Sequence, residues 1–321
     1  MHNTVRYSLI FLFFLIPIGI FAQDDLMSLL NDSTAKDINY TTATFKSTRI
    51  MNGHSVERMP PGQLDFRISH RFGTVNSGGY EFFGLDQANT HFGLEYGILK
   101  WLMVGVGREK DQKTFDGFAK FTVLRQSTGA KEMPVSVSVF SSVALATQKP
   151  TQTTRTFWIS QVSPVQTTDT ARLDYYSSKL SYVFQVLIAR KINQALSVQL
   201  TPTIIHRNLV HTELDPNDLL AIGAGGRLKL SKRISLNAEY YYVANQNHDA
   251  NPKYYNPLSI GVDIETGGHV FQLLFTNANG IIEKGFIGET TGKWTKGDIH
   301  FGFNISRVFT LKKQKAPPSP Y

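Results

Sequence analysis

The chain contains no cysteine, so disulfides, thiolate metal sites and lipid attachment through an N-terminal cysteine are excluded. It also has no apolar run of the roughly 18 residues that a membrane-crossing helix needs. A shorter run, Leu9–Ala22, has 14 residues, with Arg6 ahead of it and Ala22-Gln23 at its end. That pattern predicts a secretory signal peptide over residues 1–22, removed on export. Acidic residues are outnumbered, 25 against 33 lysines and arginines, for a net charge of +8. A basic balance raises the question of nucleic acid. Export and the scatter of the basic residues argue against it, and no nucleic-acid partner is expected. Basic side chains near strand ends instead suit anionic lipid head groups.

What the chain does have is alternation. Twelve stretches alternate apolar and polar residues: 63–73, 88–98, 101–108, 114–126, 134–147, 178–190, 195–207, 219–230, 234–244, 257–265, 269–277 and 299–309. The connections alternate as well. Short ones fall at 99–100, 127–133, 191–194, 231–233 and 266–268. Longer ones fall at 74–87, 109–113, 148–177, 208–218, 245–256 and 278–298. Tight turns on one side of a bilayer and longer loops on the other mark an outer-membrane barrel. The predicted fold is therefore all-β: a single antiparallel transmembrane β-barrel of about 12 strands (12–14), spanning residues 63–311. The expected location is the bacterial outer membrane, with the short turns in the periplasm. A mean hydropathy of −0.17 fits, because only alternate strand residues face lipid.

The two faces separate cleanly. In LDFRISHRF, Leu64, Phe66, Ile68 and Phe72 share one side, and Asp65, Arg67 and Arg71 share the other. ISLNAEYYY, LSIGVDIE and IHFGFNI divide in the same way. Within the strand limits, 13 of 17 charged residues take the polar phase. The exceptions are Arg108, Arg125, Arg190 and Arg307, near strand ends, where a long side chain can snorkel to head groups. At the bilayer midplane an outward Arg or Lys would cost about 2–4 kcal/mol. The lumen-lining set is then Asp65, Arg67, Arg71, Glu95, Asp116, Lys120, Arg227, Lys229, Glu239, Asp263 and Glu265, with His91 and His300 on the same phase. Lys179 and Arg207 also point inward. The signs nearly balance, which favours pairing across a narrow lumen over a charge-selective ring.

Tyr80, Phe82, Phe83, Tyr175, Tyr176, Tyr254 and Tyr255 flank the long loops, and Trp101 comes just after a short turn. They read as the aromatic girdles of a membrane barrel. Residues 23–62 precede the repeat and serve either as a plug or as a lead-in packed on the rim. Within them DDLMSLLND reads as a short helix and ATFKSTRIM (43–51) as a further strand, with turns at Asn52-Gly53 and Pro60-Pro61-Gly62. IIEKGFIG (281–288) reads as an additional strand. The Pro-rich, basic tail at 312–321 reads as disordered.

Several blocks resemble a known family: NGHSVERMPPGQLDFRISHRFG, EYGILKWLMVGVGR, LRQSTGAKEMPVSVS, LTPTIIHRNLV, LSKRISLNAEYYYV, LSIGVDIETGGHVFQLLFTNA and GDIHFGFNISRVFTL. They are similar to the membrane-bound β-barrel family catalogued as domain of unknown function 5777, over about residues 38–311. The resemblance implies a barrel in the outer membrane of a Bacteroidetes-type envelope, and no activity.

Chemistry-bearing constellations are sparse. His91 and His300 have no serine beside them, and no catalytic residue is assigned. His206, His211, Glu213 and Asp215 read as a solvated loop rather than a metal site, so neither metal nor cofactor is expected. VGVG and AIGAGGR lie inside strand patterns, where small residues allow close packing rather than phosphate binding. The expected function is a passive channel or small-solute uptake pore. The alternative is a closed structural or binding barrel that uses the loops at 148–177 and 278–298, with a barrel-embedded enzyme third. Expected partners are outer-membrane lipids, periplasmic chaperones, the barrel-assembly machinery and a small solute.

Overall fold

The structure, a computed structural model, describes residues 37–148, 154–160, 163–168, 175–210, 215–246, 253–267 and 269–312. The expected signal peptide, the DDLMSLLND helix and the tail beyond Lys312 lie outside the described residues.

The strands in chain order are β1 (Ile38–Tyr40), β2 (Gln63–Thr74), β3 (Ala88–Leu99), β4 (Leu102–Glu109), β5 (Phe115–Leu124) and β6 (Ser127–Gly129). Next come β7 (Ser136–Leu145), β8 (Thr154–Ser160), β9 (Ser163–Thr168), β10 (Leu180–Lys191) and β11 (Leu196–Arg207). The last are β12 (Asp218–Lys229), β13 (Ile234–Val243), β14 (Leu258–Thr266), β15 (His269–Thr276) and β16 (His300–Thr310). One short helix, α1 (Glu283–Gly288), lies between β15 and β16.

Twelve of these strands close into a barrel, in the order β2-β3-β4-β5-β7-β10-β11-β12-β13-β14-β15-β16 and back to β2. Every pairing is antiparallel, and the closing seam runs from Thr310 opposite Gln63 to His300 opposite Thr74. Closure leaves no unpaired edge, which is what hydrocarbon demands of a sheet. All twelve expected strands are present, each end within two residues of expectation. Two small sheets sit outside the ring: β1 pairs with β6, and β8 pairs with β9.

The alternation of side chains has the anticipated sense. Along β13, Ser235, Asn237 and Glu239 are buried while Leu236, Tyr240 and Tyr242 are exposed. Around the ring Phe92, Val106, Phe184, Ile204, Leu220 and Phe275 are each about half exposed. So broad an apolar belt fits hydrocarbon and would be an association hazard in water. Tyr80, Phe82, Phe83, Tyr175 and Tyr176 are exposed at the long-loop end, and Trp101 at the short-turn end.

Five expectations are corrected. Residues 43–51 form bends with one isolated bridge, Arg49 to His54, and not a strand, because their backbone groups are shared between a tight fold-back and barrel side chains. The 281–288 segment carries the buried helix α1. Tyr254 is buried and takes no part in the girdle. The inner wall is not uniformly polar: Phe140, Val183, Leu187, Ile205, Leu219, Ala221, Tyr241 and Val243 join one apolar cluster inside the ring. Finally, Arg125 is turned inward. The β5–β7 register shifts between Thr122 and Leu124, so Val123 is an extra residue and the phase is reversed from Leu124 onward. Arg108 and Arg307 keep outward positions, their guanidinium groups 5.1 Å from the Phe115 ring centre and 5.0 Å from that of Phe309.

Candidate functional site

The lumen is filled by two segments that are not part of its wall. From the short-turn end, residues 43–59 rise into the bore. Phe45, Ile50, Met51, Val56 and Met59 on this plug are buried, as are Asn52, His54 and Ser55. The plug folds back on itself: Ser55 N–H donates to Thr48 O at 2.9 Å and Ile50 N–H to Gly53 O at 2.8 Å. Asn52-Gly53 forms the tip.

Glu239, on the β13 wall, accepts from that tip. Its carboxylate takes the N–H groups of Asn52 (2.6 Å), Gly53 (3.1 Å) and Met51 (3.4 Å). Successive backbone N–H groups converging on one anion form a nest, here with the protein supplying its own anion. Gly53 is required by space. A Cβ there would lie 2.2 Å from the Tyr241 hydroxyl. Arg71 donates to Asn52 Oδ1 (2.7 Å), Gln272 to Ile50 O (2.9 Å) and Asn304 to Met51 O (2.9 Å). Lower on the plug, Gln199 bonds His54 O and Val56 N, and Lys120 donates to Ser55 O (3.1 Å) and Glu57 O.

Charges expected to pair across the bore mostly serve the plug. Arg67 donates to Ser47, Thr48 and Asp65 within 3.0 Å. Glu95 accepts from Thr48 at 2.6 Å and pairs with Arg49 at 3.0 Å. Arg227 donates to Ala43 O at 3.0 Å, and Glu265 pairs with Lys46. Asp263 accepts from Gln272, which in turn holds the plug. Lys229 is half-buried near the short-turn rim. His91 faces Asp116 at 2.8 Å, and the His300 ring nitrogen donates to Phe72 O at 2.7 Å. His206 pairs with Asp218, while His211 and Glu213 lie outside the described residues. Among the described residues no three His, Asp or Glu side chains converge as metal ligands would.

From the long-loop end, the 277–298 connection folds inward. Glu109 receives the N–H of Ile281 at 2.8 Å, and all of α1 is buried. Phe286 packs edge-on against Tyr241, ring centres 5.3 Å apart. The two stoppers meet where His54 Nε2 lies 3.8 Å from Glu283 Oε1. Burial, with Arg49 and Lys120 close by, holds the His54 pKa well below the usual imidazole range, so this ring is neutral. Burial pushes the Glu283 pKa up to about 7. One gap between plug, loop and wall is a cavity of about 20 Å³, room for roughly one water. Nearer the outer mouth a wider recess of about 650 Å³ lies between the loop, at Asn279 and Thr291, and the wall, at Thr74 and His300.

Sequence reasoning found the polar wall but missed its apolar sector and the plug contacts. One signal was readable. Strand KLSYVFQVLIAR carries apolar residues on both phases, which a water-filled lumen would not select. The wall glycines were a second: a Cβ at Gly225 would lie 2.5 Å from Ile50 of the plug.

Comparison with solved structures gives porin-type barrels. The NanC porin is 9% identical with a TM-score of 0.44, over 78% of this chain and 100% of that one. The KdgM porin is 8% identical with a TM-score of 0.42, over 77% and 99%. The outer membrane protein Omp33 of Acinetobacter baumannii is 12% identical with a TM-score of 0.38, over 77% and 98%. A comparison with curated proteins returned no match. With its closed ring, its hydrocarbon belt and a family model that matches residues 45–309, the chain belongs to the membrane-bound β-barrel domain family DUF5777, as an integral protein of the bacterial outer membrane.

Proposed function

We propose that the protein is a solute channel of the outer membrane, described here in its shut arrangement. One observation carries this reading: the wall's inward side chains do not close the bore alone, and chain from outside the ring fills what they leave. A narrow barrel of about eight strands is filled by its inward side chains alone. This one is stopped by two inserted segments, at 43–59 and 277–298, held by hydrogen bonds to the polar wall and by packing on its apolar sector. Asp65, Arg67, Arg71, Glu95, Asp116, Lys120, Arg227, Lys229, Glu239, Asp263, Glu265, His91 and His300 are the proposed lining of the open path. A small polar solute is the proposed cargo. Periplasmic chaperones and the barrel-assembly machinery are proposed partners in biogenesis.

The tight meeting of plug and loop, with a gap of only about 20 Å³ between them and the wall, favours a second reading, a permanently closed barrel that binds through its long loops. Conductance in planar bilayers separates the two. The channel reading expects rare or small currents from the parent and steady ohmic currents after deletion of residues 43–57. The Gly53→Val variant, which expels the tip without shortening the chain, is expected to behave likewise. Variants that keep the heat-modifiable mobility of a folded barrel and remain silent would overturn it.

A further inference from the structure

At the short-turn end, where the plug passes the wall, a cavity of about 110 Å³ lies between Thr41–Thr44 and Val56–Arg58 on one side and Thr122, Leu124, Arg125 and Ser136 on the other. Two arginines line it, one from each side: Arg58 from the plug and Arg125 from the wall, just past the end of β5. Arg125 reaches this position only because of the bulge at Val123. Bulges are costly irregularities that often re-aim one side chain. Here the effect is to bring a second cation beside the first.

Among the described residues neither guanidinium has an ion pair. The Arg58 Nε atom is buried without a hydrogen-bond partner, and so is the Thr122 hydroxyl. Arg125 stacks over the Tyr40 ring at 4.3 Å. Lys191 adds a third cation nearby, its ammonium donating to Thr42 O at 2.9 Å. Glu57 is the single acid lining the cavity, and its carboxylate is turned to the Phe45 N–H at 3.3 Å. Burial and the facing Arg125 lower the Arg58 pKa from its ordinary value, and the opposing pull of Glu57 does not offset them.

We propose that this cavity is an oxyanion site that takes a phosphate-class group between the Arg58 and Arg125 guanidinium groups, with the Thr122 and Ser136 hydroxyls beside it. Guanidinium forks bind such oxygens in pairs, and two like charges around a cavity gain most when an anion lies between them. The phosphate has two sources, a free inorganic ion or a phospholipid head group. Exposed Tyr40 and Leu124 place the site next to the lipid-facing belt. The site does not depend on conduction.

The test uses the full chain folded in detergent. One arm titrates inorganic phosphate by calorimetry. The other tracks retention of short-chain phosphatidylglycerol by native mass spectrometry. One oxyanion per chain is expected in at least one arm, weakened about tenfold or more by Arg58→Gln or Arg125→Gln. Saturation by phosphate alone assigns the free ion, and retention of lipid alone assigns the head group. Arg233→Gln removes a charge from the β12–β13 turn, two short turns further round the ring, and is expected to change nothing. If neither probe saturates, or if Arg233→Gln weakens binding as much as the other two, the site is refuted. Heat-modifiable mobility verifies folding, and Arg58→Lys and Arg125→Lys, which keep the charge and lose the fork, replace any variant that fails it.

Discussion

Glu239 is the wall residue on which the seating of the plug turns. Glu239→Ala removes the acceptor for the N–H groups of Met51, Asn52 and Gly53 and leaves them buried. Each unsatisfied buried donor costs about 1–3 kcal/mol, and neighbours do not add fully, so about 3 kcal/mol is a fair figure for the set. At about 1.4 kcal/mol per tenfold, the plug would leave its seat roughly a hundred times more often. The absence of native cysteine makes this measurable. Ser55 is 0% exposed, and a Ser55→Cys reporter is silent to a polar maleimide while the plug is seated. The expected labelling rate rises about a hundredfold with Glu239→Ala. It rises by a smaller factor with Glu239→Gln, which keeps one carbonyl oxygen as acceptor. A Glu239→Ala rate within twofold of the parent's, in protein that remains folded, would refute the account of how the plug is held.

The remaining predictions concern the same two stoppers. Gly53→Ala is expected to expose the Ser55→Cys reporter, since its Cβ would meet the Tyr241 hydroxyl; adding Tyr241→Phe removes that oxygen and should restore most of the protection. Phe286→Ala deletes a fully buried ring and should cost about 3–5 kcal/mol of loop insertion, read as trypsin cleavage near Lys284 that the parent resists. Insertion of the outer loop should also depend on pH. With the Glu283 pKa raised from 4.5 to about 7, its stabilising contribution is fully present below about pH 4.5, is lost as pH rises to about 7 and stays lost above it. Trypsin sensitivity at Lys284 should therefore increase between pH 5 and pH 7 in the parent and lose that dependence in Glu283→Gln.

The ring was legible because a bilayer acts on every strand in the same local way. A residue such as Leu236 must suit hydrocarbon and its neighbour Asn237 must not, so period two survives in the sequence. The plug was not legible, because its order comes from partners far away in the chain. Asn52 is held by Glu239 and Gly53 by the same carboxylate, and no local pattern records such a pairing. Helix α1 was missed for a related reason. Its six residues are too few to display a helical period, and the N–H groups just ahead of it are satisfied by Glu109, from another strand. Arg125 was misplaced by one inserted residue, which a strict two-residue count cannot register.

Gly62 has a part in how such a molecule is completed. Its N–H donates to Gly97 O, and its own carbonyl accepts from Leu311 and Lys312, beyond the end of β16. A positive φ of 79° and the Lys312 backbone 2.6 Å from a would-be Cβ reserve the position for glycine. One residue thus clasps the leading and trailing ends of the hoop just where the inserted segment leaves it. A substitution at Gly62 should therefore loosen the root of the plug and the closing seam together.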